Sequence, residues 1–201
     1  MDSRLTLSIN DKQFEDIKKV FNKIDPTRQD SVAKTMMTKV GLLMERSLKG
    51  NLSGRILKRR TGYLAGSITS NVKNSEGNWK TTVGSGVRTG KRAVYANILE
   101  KGGTIKPNKS KFLAIPLRAA LTGAGAPRKS GPRQWANTFV RRSHGGNLII
   151  FQANGKGKII PLYVLKKSVR IPGKDYMGKS LQETTESILR VMNNEVSEGL
   201  K

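Results

Sequence analysis

Val94-Tyr95-Ala96-Asn97-Ile98-Leu99-Glu100-Lys101-Gly102-Gly103-Thr104 decides how the rest of the chain is read. Val94, Tyr95, Ile98 and Leu99 fall at i, i+1, i+4 and i+5, which places an apolar face on a short helix. Gly102 and Gly103 then end it, because glycine accepts the left-handed backbone favoured just past a helix C-terminus. A Gly-rich hairpin pattern precedes this stretch. A strand pattern, Phe112-Leu113-Ala114-Ile115-Pro116, follows it. A short helix crossing from one part of a sheet to another is the simplest account.

Towards the N-terminus, Leu5, Leu7 and Ile9 alternate with polar residues and suit a short strand. Asn10 with Gln13 fits a capping box, and Phe14, Ile17, Val20, Phe21 and Ile24 recur at helical spacing. Asp25-Pro26 breaks that helix and opens a long second one. Val32, Met36, Val40 and Leu43 line its apolar face, and Gly50 is its expected stop. After a basic loop at 55–60, Thr61 is the expected cap of one or two helical turns. A hairpin is expected with strands over 68–72 and 79–84, then a basic Gly-rich loop at 84–92.

Residues 117–146 hold seven glycines and prolines and six arginines and lysines, with no acid. They read as an extended insertion that orders against a partner. A hairpin is expected from 148–152 and 158–164, with the strand continuing to 171. Ser180 with Glu183 fits a second capping box, before a last helix lined by Leu181, Ile188, Met192 and Val196. The order of elements implies an α+β fold in a single domain over 1–201. A small mixed or antiparallel sheet packs against the N-terminal helices and a C-terminal helix, with 117–146 as a long basic Gly/Pro-rich insertion.

The chain of 201 residues carries a net charge of +24. From Arg46 through Leu181 there are 28 Lys and Arg against three acids, Glu76, Glu100 and Asp175. The whole excess therefore lies in the middle of the chain. Such a field attracts polyanions, nucleic acid foremost, or it marks a face buried against an acidic protein. Cysteine is absent, which removes disulfides and thiolate chemistry and fits a reducing cytoplasm. The first residues lack a signal-peptide pattern, and no run approaches the roughly 20 apolar residues that span a bilayer.

No catalytic constellation emerges. The single His144 sits beside two arginines and makes no zinc site by itself. No Gly-x-Ser-x-Gly elbow occurs, and the basic region has no carboxylate cluster for metal-dependent cleavage. Residues 123–130 resemble a phosphate-binding loop in register, but Arg128 replaces the second glycine and Pro127 removes an amide donor. No enzyme activity and no cofactor are expected. With no helix-turn-helix or zinc-finger spacing, any DNA contact would run through phosphates.

Three stretches together resemble a known family. Arg60-Thr61-Gly62-Tyr63-Leu64-Ala65-Gly66-Ser67-Ile68 resembles its R-T-G-x-L-x-x-S-I element. The stretch 94–104 resembles V-Y-A-x-x-x-E-x-G-T, with Gly103 added before Thr104. Arg170-Ile171-Pro172-Gly173-Lys174-Asp175-Tyr176-Met177-Gly178-Lys179-Ser180 resembles I-P-x-R-P-F-L-G-x-S, with Lys174 to Met177 differing. These occur in this order in the tail-completion (neck) proteins of long-tailed bacteriophages. That group is similar to the Mu-type virion morphogenesis protein and lambda minor tail protein Z.

The resemblance implies a virion structural protein at the head–tail junction, made in the host cytoplasm. It implies a homo-hexameric ring around the DNA channel, with neck or connector and tail-terminator or tail-tube proteins as neighbours. Arg88, Lys91, Arg92, Arg128, Lys129, Arg133, Arg141 and Arg142 are then the candidates to face DNA phosphates or those partners. Tyr95, Glu100, Trp135 and Phe139 are candidate subunit contacts. The alternative, from charge alone, is a stand-alone nucleic-acid-binding protein without sequence preference.

Overall fold

A computed structural model describes residues 11–155 and 157–201. The strand expected over residues 5–9 and the cap at Asn10 lie outside the described residues. The fold is α+β, with five α-helices and antiparallel sheets among the described residues. The described residues fall into two compact units. Unit 1 holds residues 11–58, Gly62–Lys101 and Lys174–Lys201; unit 2 holds Arg59–Thr61 and Gly102–Gly173.

In unit 1, α1 (Asp11–Phe21) and α2 (Pro26–Gly50) are separated at Asp25 as expected. The Asp25 carboxylate accepts from the Thr27 amide at 2.8 Å, and Pro26 occupies the first turn, where its missing amide costs nothing. Gly50 does not stop the helix. Its backbone is helical, and a π turn (Asn51–Arg55) carries the chain on until Gly54, at φ 140°. Asn51 and Leu52 are both buried, so packing overrides the glycine.

The five-residue helix α3 (Tyr63–Ser67) leads into the hairpin of β1 (Ile68–Ser75) and β2 (Asn78–Ser85). Its N-cap is Gly62 at φ 76°, not Thr61. The hairpin lies on α2. Thr81 Oγ1 donates to the Met37 carbonyl at 2.6 Å, and Glu45 accepts from the Ser70 amide at 2.8 Å and its hydroxyl at 2.9 Å. Gly41 permits this approach, since a Cβ there would stand 2.9 Å from Thr81 Cγ2 and 3.2 Å from Ser70 Cβ. Gly41→Leu is expected to cost about 2 kcal/mol by overpacking, read as a lower urea midpoint of unit 1.

α4 (Ala96–Lys101) follows, and α5 (Tyr176–Gly199) closes the unit. Ser180 and Glu183 form no capping box, because α5 begins one turn earlier, at Tyr176. Ser180 is fully buried, and its hydroxyl donates to the Tyr176 carbonyl. Asn51 Nδ2 donates to Ser180 Oγ at 2.7 Å and to Glu183 Oε2 at 3.1 Å, which ties α5 to the end of α2. Further along, the buried carboxylate of Glu195 pairs with Lys39. Ile17, Ile24, Met36, Met44, Ile188, Met192 and Val196 form the core between α1, α2 and α5.

Unit 2 is built from two antiparallel sheets. β3 (Gly102–Ile105) pairs with β8 (Val169–Pro172). The second sheet has the order β4 (Leu113–Pro116), β7 (Ile159–Lys166), β6 (Leu148–Ala153), β5 (Thr138–Arg142). The single continuous strand expected to residue 171 is thus two strands in two sheets. The segment 117–146, expected to be an extended insertion, contains β5, single 3-10 turns at Arg118–Ala120 and Pro132–Gln134, and a Leu121–Pro127 bridge. Thr138, Phe139 and Val140 carry the β propensity that the surrounding Gly, Pro and Arg obscured. The core of unit 2 is Ala120, Leu162 and Tyr163.

Candidate assembly and polyanion interface

The three stretches that carry the family resemblance meet in unit 1. Leu64, Ala65 and Ile68 from the first, Ala96 and Leu99 from the second, and Tyr176 and Met177 from the third pack in one cluster around Leu48. The second and third are also tied by hydrogen bonds. The Lys174 amide donates to the Leu99 carbonyl at 2.9 Å, and the Asp175 amide to the Glu100 carbonyl at 3.1 Å, so the end of α4 is capped. Glu100 Oε2 accepts from the Met177 amide at 3.1 Å, which sets a carboxylate against the first turn of α5. Tyr176 is buried, and its hydroxyl donates to the Ala96 carbonyl at 3.3 Å. Burial, and then the charge of Glu100, push its phenol up to about 12.

Glu100 is therefore engaged inside unit 1. Tyr95 precedes α4 and is 42% exposed, and Val94 beside it is 96% exposed. The apolar face expected of these two is not buried, because the helix begins only at Ala96.

Two carboxylates give unit 1 opposed responses to acid. Burial raises the Glu100 carboxyl above the ordinary glutamate range and Asp175 adds to the rise, against the Met177 amide. Folded protein then holds this proton more tightly than unfolded chain. Between the ordinary and the raised value, stability grows as pH falls. At Glu45, burial pushes upward, but Lys49 and the Ser70 hydroxyl and amide together hold the carboxyl below its ordinary range. That contribution is complete above the ordinary value and is lost as pH falls through the lowered one. Urea midpoints taken from pH 7 downward are expected to rise and then fall. Glu100→Gln removes the rise, and Glu45→Gln reduces the later fall.

The candidate cations divide between the units. Arg88, Lys91 and Arg92 lie in the exposed loop after β2, where the Arg88 amide donates to Thr69 Oγ1 at 3.1 Å. Near them a concavity of about 530 Å³ has Val83, Tyr176 and Met177 in its wall and Lys73, Lys80 and Arg92 among its polar lining, with no carboxylate.

Arg128, Lys129, Arg133, Arg141 and Arg142 lie in unit 2, all exposed. Arg128 Nε donates to the Leu121 carbonyl at 2.8 Å. Lys129 Nζ donates to the Gln134 carbonyl at 2.7 Å and stands 5.0 Å from the Trp135 ring centroid. Trp135 is partly buried and donates from Nε1 to Tyr163 Oη at 3.0 Å. Phe139, 39% exposed, stacks on Phe151 with ring centroids 5.8 Å apart.

The residues of unit 2 include 16 Lys and Arg and not one Asp or Glu. No internal carboxylate is there to neutralise them, so the field of this unit is of one sign. The signal was legible as the acid-free run between Glu100 and Asp175, but the unit boundary was not.

Among the described residues, no group of three or more His, Cys, Asp or Glu is placed to hold a metal ion. None of their helices is long and apolar enough to cross a membrane. No protein-family model, curated protein or solved structure matches the chain.

Proposed function

We propose that this chain is a structural assembly protein that works beside a polyanion. More particularly, we infer a tail-completion protein of the phage neck, a non-enzymatic part of the virion at the head–tail junction. The observation that carries this reading is the ordered set of three motifs, whose residues pack into one cluster around Leu48.

In this reading several copies, six by the resemblance, form a ring around the DNA channel, between connector and tail proteins. The basic segment 117–146 is an insertion that reaches a neighbour. The acid-free unit lines or flanks the path of DNA and contacts phosphates without reading bases. Particles purified to homogeneity, analysed by mass spectrometry and labelled with gold-conjugated antibody, are expected to carry the chain at the head–tail junction. Absence of the chain from such particles overturns the reading.

The single-signed charge of unit 2 favours a second reading, a free nucleic-acid binder. It requires tight duplex binding by the isolated chain, with log affinity falling linearly in log salt. No binding at low salt rules it out.

A further inference from the structure

The four-stranded sheet of unit 2 has one closed and one open edge. At the closed edge, the Leu117 amide donates to the Leu162 carbonyl at 2.8 Å, which extends the β4–β7 ladder. By antiparallel alternation, Ala114 and Pro116 then face outward from β4. Pro116 has no N–H, so this edge is blocked in the way sheet edges usually are.

The other edge is β5. The Ala153 amide donates to the Asn137 carbonyl at 3.0 Å, and the Ser143 amide to the Asn147 carbonyl at 2.8 Å. These bonds lie at either end of β5 and agree in phase. Phe139 and Arg141 therefore bond to β6, and the amides and carbonyls of Thr138, Val140 and Arg142 point outward. All five residues of β5 are exposed, and the strand has no proline and no bulge against β6. Its side chains run from apolar, Phe139 and Val140, to cationic, Arg141 and Arg142.

We propose that β5 receives an extended acidic segment of another protein, which adds to the sheet as a fifth strand. A second copy of this chain is disfavoured, because it would bring together two units that each hold 16 cations and no carboxylate. The fitting segment carries two acidic residues opposite Arg142 and Arg141, then two apolar residues opposite Val140 and Phe139. Backbone hydrogen bonds hold such a strand, and the side chains on alternate faces select it. This goes beyond the neck reading and rests on unit 2 alone.

The test is fluorescence anisotropy of the full chain with a labelled peptide, Ser-Glu-Asp-Val-Ile-Thr-Ser. In the antiparallel register, its Val amide faces β5 and its Ile amide faces away. N-methylation of that Val is expected to weaken binding about tenfold or more, whereas N-methylation of the Ile leaves it within about twofold. Val140→Pro, which removes an outward N–H and no bond to β6, is expected to produce the same loss with unchanged circular dichroism. Arg141→Glu with Arg142→Glu provides a second variant and is expected to abolish binding. Equal binding of both methylated peptides would reduce the effect to charge and overturn the proposal. So would absence of peptide binding at low salt, or tighter binding of a thymidylate oligomer that displaces the peptide.

Discussion

Replacing Gly102 with alanine is expected to destabilise unit 2 by about 4 kcal/mol, the largest effect of any glycine substitution considered. Two causes add. Gly102 has φ 75°, where an L side chain is strained by roughly 1–2 kcal/mol. A Cβ there would also stand 2.5 Å from the Gly173 nitrogen and 2.9 Å from the Ile171 carbonyl oxygen. Both are backbone atoms of the β3–β8 pairing and its exit, so no rotamer relieves the collision. Overpacking of that kind adds up to about 3 kcal/mol. Gly77→Ala is the control. Its φ is 79°, but nothing lies within 4 Å of an added Cβ, so only the conformational cost of about 1 kcal/mol is expected.

The two tryptophans give each unit its own reporter. Trp79 lies in unit 1 and Trp135 in unit 2. Urea unfolding of Gly102→Ala is followed by Trp135 in a Trp79→Phe background, and of Gly77→Ala by Trp79 in a Trp135→Phe background. Equal losses at the two positions would show that the backbone contact at Gly102 contributes nothing.

Leu48→Ala is expected to lose about 3–4 kcal/mol, reported by Trp79. Leu48 is fully buried in the cluster where the three motif stretches meet. Truncation removes buried methyl and methylene groups and leaves a cavity among Leu52, Leu64, Ile68, Tyr176 and Met177. Leu48→Met keeps the volume and is expected to cost less than about 1.5 kcal/mol. A mild Leu48→Ala effect would mean that this cluster collapses freely and is not the keystone of unit 1.

The sequence made some of this legible and hid the rest for physical reasons. Asp25-Pro26 announced a helix start because a side-chain acceptor and a missing amide act locally. The hairpin expected from strands over 68–72 and 79–84 is present, with both strands running further, to Ser75 and from Asn78 to Ser85, around a Glu76-Gly77 turn. Gly102 ends α4 as its position predicts, in the left-handed backbone that glycine accepts. Gly50 misled, because tertiary burial of Asn51 and Leu52 carries the helix past it. Ser180 and Glu183 had the spacing of a cap, but their partner is Asn51, 129 residues away from Ser180. β5 was hidden inside a Gly/Pro/Arg-rich segment whose average composition outweighs five residues.

For the candidate site, the cations were legible by their lack of nearby acids. That Glu100 points into its own unit, against the Met177 amide, follows from the approach of α5 and left no local mark.

Electron microscopy of particles made after deletion of this gene tests the neck reading most directly. The account predicts DNA-filled heads lying beside finished but unjoined tails. Normal, infectious particles would contradict it and leave the free nucleic-acid binder as the better account of the charge.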